Sequence, residues 1–184
     1  MKMLVYSNQL SGCLLMATPM LQDHPFYSNA VIYVFDYNED GVQGVAINKR
    51  MQCSMQELVN RLSTIDKLSV INDDPILNGG LSAIDRGIIL HSDDLGQAYD
   101  VSFSKDMLID IAKGHGPAFH QVFLGYTSWT HESFAQELKA GYWLMSRQDL
   151  RELFAARISD RYNMVATHVG VGNPAYVSCE QAEA

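Results

Sequence analysis

Asn48-Lys49, Gly79-Gly80, Asp85-Arg86 and His91-Ser92-Asp93-Asp94 are the stretches of this chain whose residue types could carry chemistry. If Asn48, Lys49, Asp85, Arg86 and His91 met at strand ends, Lys49 and Arg86 would hold a small phosphorylated molecule while His91 or Asp85 moved a proton. That would make a hydrolase or transferase. Each stretch also has a plainer use. Gly79-Gly80 is followed by a strand-like run, and no G-x-x-x-x-G-K-[ST] occurs, so the aligned N–H groups of a helix start are missing and a turn or bulge is expected. His91-Ser92-Asp93-Asp94 reads as a loop, because Ser and Asp are ordinary turn formers and neither G-x-S-x-G nor H-E-x-x-H is present. Trp129, close to Tyr126, could be a ligand platform, but packing at a strand-to-helix junction is the commoner role. Gly170 to Ala175 spells G-x-G-x-x-A after a helix and ahead of Pro174, the wrong context for a dinucleotide fingerprint.

Metal and thiol chemistry find little support. His115 and His120 stand five apart around Gly116-Pro117, a spacing that no standard metal motif uses, and His24 and His168 are isolated. No metal or other cofactor is expected. Cys13, Cys53 and Cys179 form no C-x-x-C pair, which suits buried thiols in a reducing compartment, the cytoplasm. Leu10-Ser11-Gly12-Cys13 has the letters of a lipobox, yet "MKMLVYSNQL" lacks the unbroken apolar stretch of a signal peptide.

Charge excludes a further class. Thirteen basic against twenty-one acidic residues give a net charge of −8, without a basic run that could displace counterions from a nucleic acid or dock on an anionic membrane. Arg147, Arg151, Arg157 and Arg161 are interspersed with Asp149, Glu152 and Asp160, the pattern of a solvated mixed face. Charged residues are only 18% of the chain, so more surface than usual is expected to be covered, within the fold or in a homo-oligomer. No apolar run has the length of a membrane span.

The elements that must position these residues follow from periodicity. "GCLLMATP", Asn29 to Asn38 and Val42 to Ile47 read as strands, the last two joined by a turn at Asp40-Gly41. Ser54-Met55-Gln56-Glu57 is a capping box opening a helix over 54–62. "PILNGG", "DRGIILHS" and "AYDVSFS" read as short extended segments, followed by a helix from Ser104 to Gly114 and a strand "QVFLGY" ending at Tyr126. Thr130 to Gly141 is helical, and a Ser-x-x-Asp cap at Ser146 starts one broken or two consecutive helices reaching Gly170. Residues 173–184 read as a frayed tail on one domain of 184 residues. Strands lie mostly early and helices mostly in the last third, which predicts an α+β fold.

Taken in order, "ATPMLQDHPFYSNAVIYV" (17–34), "GVQGVAINK" (41–49), "NGGLSAIDRGIILHS" (78–92), "LGYTSWTHESFAQEL" (124–138), "WLMSRQDLRELF" and "DRY" (143–162) resemble the YqgE/AlgH family of bacterial proteins. The likeness spans about residues 12–172. Arg50 and Leu81 stand where the family has proline, Ser128 where it prefers glycine, and Tyr162 where it has tryptophan. The resemblance implies a mostly antiparallel, strongly bent sheet, a half-barrel flanked by helices. It carries no settled biochemical activity, and some members are named as regulators of alginate production. The expectation is therefore a non-catalytic regulatory or interaction protein acting through a protein partner or small ligand. Its binding candidates are Asn48, Lys49, Gly79, Gly80, Asp85, Arg86, His91 and Trp129. An enzyme of small phosphorylated molecules is the alternative, and a DNA-binding regulator the second.

Overall fold

The computed structural model describes residues 10–62, 69–93 and 99–171. Asp94, Gly172, Cys179 and the 173–184 tail lie outside the described residues. In chain order the elements are β1 (Leu14–Ala17), β2 (Val31–Asn38), β3 (Gly41–Ala46), α1 (Met55–Leu62), β4 (Leu77–Asn78), β5 (Ser82–Ser92), β6 (Asp100–Ser102), α2 (Lys105–Ala112), β7 (Phe119–Trp129), α3 (His131–Lys139), β8 (Trp143–Ser146), α4 (Leu150–Ala155) and α5 (Arg161–His168). Strand order is β6-β5-β7-β3-β2-β1-β8, antiparallel throughout, with β4 set parallel to β7. Among the described residues three of the five helices follow the last long strand, and the fold is α+β.

The residues cluster in two compact units, one up to Asn48 and again from Thr127, the other Lys49–Tyr126. In the first, β2 and β3 form a hairpin whose turn is fixed by Asn38, which accepts from the Asp40 N–H at 2.8 Å. Gly41 follows at φ 140°, where a Cβ would sit 2.3 Å from the Trp129 carbonyl oxygen; only glycine fits there. Leu15, Ile32, Val34 and Val42 pack with Trp129, Phe134 and Trp143 as its core. In the second unit, Met55 and Leu58 of α1 and Leu108 and Ile111 of α2 cover Ile89 and Val122 of the sheet.

Local signals read from sequence explain the helix starts. Glu57 accepts from the Ser54 N–H at 2.8 Å while Ser54 Oγ accepts from the Glu57 N–H at 3.2 Å, the reciprocal capping box. Ser104 and Thr130 cap α2 and α3 one way only, by accepting from the Met107 and Ser133 N–H groups. Two expectations are corrected. Ser146 caps no helix: it ends β8, which pairs along β1 from Ala17↔Trp143 to Leu14↔Ser146, and Asp149 caps α4 by accepting from the Arg151 N–H at 2.8 Å. The strand expected to stop at Tyr126 continues to Trp129, because residues 127–129 pair with β3 from Gly44↔Thr127 to Val42↔Trp129.

Candidate functional site

Of the eight candidate residues, several are occupied in holding the fold. Asn48, just past β3, accepts from the Val31 N–H at 2.9 Å and donates to the Asn29 carbonyl at 2.7 Å. Its amide thereby ties down the entry to β2, where Asn29 takes φ 52°. Trp129 is 8% exposed and donates its indole N–H to Glu137 Oε2 at 3.0 Å; Trp143 donates to the same oxygen at 2.7 Å. The two indoles meet edge to face at 5.8 Å, so Trp129 is a packing residue and no open platform.

The glycine pair serves the backbone. Gly79 donates to the Leu124 carbonyl at 2.9 Å and Gly80 to Asn78 Oδ1 at 3.2 Å. Both N–H groups are engaged, and β5 follows in place of a helix, so neither donor is aimed at a phosphate. Opposite them, Gly125 has φ 72°, and a Cβ there would stand 2.7 Å from the Gly80 carbonyl oxygen. Lys49 is half-buried, which pulls its ammonium below the ordinary lysine range, and its carbonyl accepts from the Asn78 N–H at 2.7 Å.

Asp85 and Arg86 are held outward. β5 pairs with β7 at Ser82↔Tyr126 and resumes at Gly87↔Leu124, so four residues of β5 oppose Gly125 alone. That excess forms a wide bulge. Ala83, at φ 44°, Ile84, Asp85 and Arg86 are all exposed on it, Ile84 by 62%. The Arg86 guanidinium lies 4.2 Å above the Phe103 ring, itself 42% exposed, and Leu81 is 53% exposed just before the bulge.

His91 lies five residues further along β5, roughly 16 Å at the rise of a strand. It stands opposite Asp100 on β6 and opposite His120 on β7, so the three side chains share one face of the sheet. Arg86 and His91 are therefore not neighbours. The spacing of His120 from His115 fits no metal motif, yet His120 has the more organised surroundings: Nδ1 is 2.9 Å from the Pro117 carbonyl oxygen, and Nε2 is 3.0 Å from Asn72 Nδ2 and 3.3 Å from Asp74 Oδ2. The signal that could have found it is Asn72-Asp73-Asp74, an Asx turn in which Asn72 Oδ1 accepts from the Asp74 N–H at 3.0 Å.

Two open depressions lie elsewhere. One, of about 280 Å³ in the second unit, is lined by Arg50, Cys53, Ser54, Asp73 and Asp74 among others. Burial pushes the Cys53 thiol up, away from thiolate formation. The other, of about 530 Å³ beside α5, includes Gln148, Asn163, Thr167 and His168. Neither contains any of the eight candidates. Among the described residues no three His, Cys, Asp or Glu side chains stand together as a metal site, and no helix is long and apolar enough to cross a membrane.

Arg161, read from sequence as part of a solvated mixed face, is instead 4% exposed: it donates to the carbonyls of Ile47 and Phe154 and lies 4.7 Å over the Phe154 ring. Burial pulls its guanidinium below the ordinary arginine range, to about 10. It fastens the start of α5 to the end of β3, and its neighbour Tyr162 does the same for β1.

Comparison with known proteins agrees with this architecture. The family described as AlgH-like (DUF179) matches residues 14–173. A UPF0301 protein of Photobacterium profundum is 30% identical over 95% of this chain and 99% of its own, and one of Aliivibrio fischeri is 30% identical over 93% and 97%. The solution structure of the AlgH protein from Pseudomonas aeruginosa is similar at a TM-score of 0.75 and 30% identity, covering 100% of this chain and 97% of that one. A Corynebacterium diphtheriae protein, at TM-score 0.54, 18% identity and 76% coverage of each chain, shares the fold. The chain belongs to the AlgH-like family.

Proposed function

We propose that the protein is a non-catalytic interaction protein with a regulatory role in the cytoplasm, acting by contact with a protein partner. The observation that carries this reading is the β5 bulge. It presents Ile84, Asp85 and Arg86 outward beside Leu81 and the Arg86-capped ring of Phe103. A loose loop would not hold such a surface. Gly125, pressed against the carbonyls of Gly80 and Ser82, gives the bulge a built backbone, and an apolar set with a stacked arginine is the composition of a protein-binding patch. The candidates read for chemistry support it from the other side, since Asn48, Trp129 and the glycine pair are engaged in the fold. A net charge of −8 disfavours nucleic acid as the partner.

The test is the size of the protein in cell extract. Tagged wild type is expected to elute from a sizing column well ahead of the purified chain, and an Ile84→Ser/Arg86→Ala double variant to elute with it. Wild type and variant eluting together, at either size, would contradict the assignment of this surface.

A further inference from the structure

We infer that His120 is a proton-operated latch on the segment 71–76, and that its charge decides whether Asn72 or Asp74 is the partner of its Nε2. The Pro117 carbonyl can only accept, so Nδ1 of His120 carries a proton in either charge state. At Nε2 two partners compete. Asn72 Nδ2 can only donate, and it suits the lone pair of the neutral ring; Asp74 Oδ2 can only accept, and it suits the N–H of the imidazolium. One nitrogen cannot satisfy both at once.

Asn72 cannot simply turn its amide over. Its Oδ1 accepts from the Asp74 N–H at 3.0 Å, and the N–H groups of Ile71 and Asn72 donate to the Ala112 carbonyl at the end of α2, at 2.8 and 3.2 Å. Protonation of His120 therefore places an N–H against an amide N–H. Relief comes from exchanging the Asn72 contact and its Asx turn for an ion pair with Asp74. The segment thus has two hydrogen-bonding arrangements, each complete for one charge state of a ring that is 15% exposed.

The surrounding charges set the direction. Asp74 faces the ring from the segment itself, while His91 stands opposite on β5 with Asp100 beyond it on β6. Lys113 follows Ala112 at the end of α2, and Asp73 is turned toward the Met55 N–H at the start of α1, 3.4 Å away. Asp74 also lines the 280 Å³ depression with Arg50 and Ser54. Standing there 3.3 Å from His120 Nε2, that carboxylate has its charge offset once the ring is protonated, so acidification leaves the guanidinium of Arg50 with less net negative charge nearby.

An amide-resolved NMR titration of the whole protein from about pH 8 to about pH 5, the span in which histidines change charge, tests this. The amides of Asn72, Asp74 and Ile76 are expected to shift with the midpoint shown by the His120 ring protons. Exchange at the Asp74 amide, corrected for its intrinsic pH dependence, should speed up about tenfold or more once the Asx turn opens. In His120→Gln this transition should vanish, in Asp74→Ala, which removes the acceptor and counter-charge of the imidazolium, its midpoint should fall by about one pH unit or more, and in His91→Gln it should persist. Amides that follow His91 instead, that keep their midpoint in Asp74→Ala, or that stay still while the His120 ring titrates would overturn the latch; should His120→Gln fail to fold, Asp74→Ala decides alone.

Discussion

The hydroxyl of Tyr162, on α5, donates to the carbonyl oxygen of Ala17, the last residue of β1, at 2.7 Å across 145 positions of chain. With Arg161 on the Ile47 carbonyl, it pins the C-terminal helix to two strand ends, where backbone acceptors run out of ladder partners. Tyr162→Phe keeps the ring and orphans the Ala17 carbonyl. A loss of about 1–2 kcal/mol in denaturant unfolding is expected.

The same tyrosine predicts an alkaline limit. Burial holds the Tyr162 phenol above its ordinary value of 10.0, and burial chiefly does the same for Tyr27. A group whose pKa is raised by folding stabilises fully below the unfolded value, and that contribution is lost as pH rises through the folded one. Stability should hold up to about pH 10 and fall beyond it, with a shallower fall in Tyr162→Phe; urea midpoints measured across that range would show it.

Glu137 joins the two indoles of the first unit, and Trp129 and Trp143 are the only tryptophans in the chain. Their fluorescence therefore reports this one cluster. Glu137→Ala leaves two buried N–H donors without an acceptor and should cost about 2–4 kcal/mol with a shifted emission maximum, while Glu137→Gln, which keeps an acceptor oxygen, should cost less than half of that. Unfolding followed by tryptophan emission measures both effects together.

Gly125 is where the bulge depends on a missing side chain. Gly125→Ala combines φ 72° with a Cβ 2.7 Å from the Gly80 carbonyl oxygen, and a loss of about 2–4 kcal/mol is expected. Gly87→Ala on the same bulge has nothing within 4 Å of its new methyl and should change stability by less than about 0.5 kcal/mol. Equal losses at the two positions in thermal unfolding would count against a built bulge.

Much of this fold is legible in the sequence because its signals are local. Ser54 and Glu57 write a capping box, Asp40-Gly41 a hairpin, and Asn78 with Gly80 a bend followed by a strand; each of these bonds closes within three residues. Strand β8 is not legible, because its four residues bury only Trp143 and Ser146 and its identity comes from register on β1, more than 120 positions earlier. The site is harder to read for the same reason. His120 is connected to Asn72 and Asp74 by the fold alone, and Arg86 reads as an anion ligand until the bulge places it over Phe103.

The central claim is that the β5 bulge is a contact surface for another protein, and a photo-crosslinking residue placed at Ile84 in cells tests it most directly. Position 84 should yield a discrete adduct, of twice the chain's mass if the partner is a second copy, whereas the exposed α3 position Ala135 should yield none. Equal labelling from both positions, or none from position 84, would contradict the account.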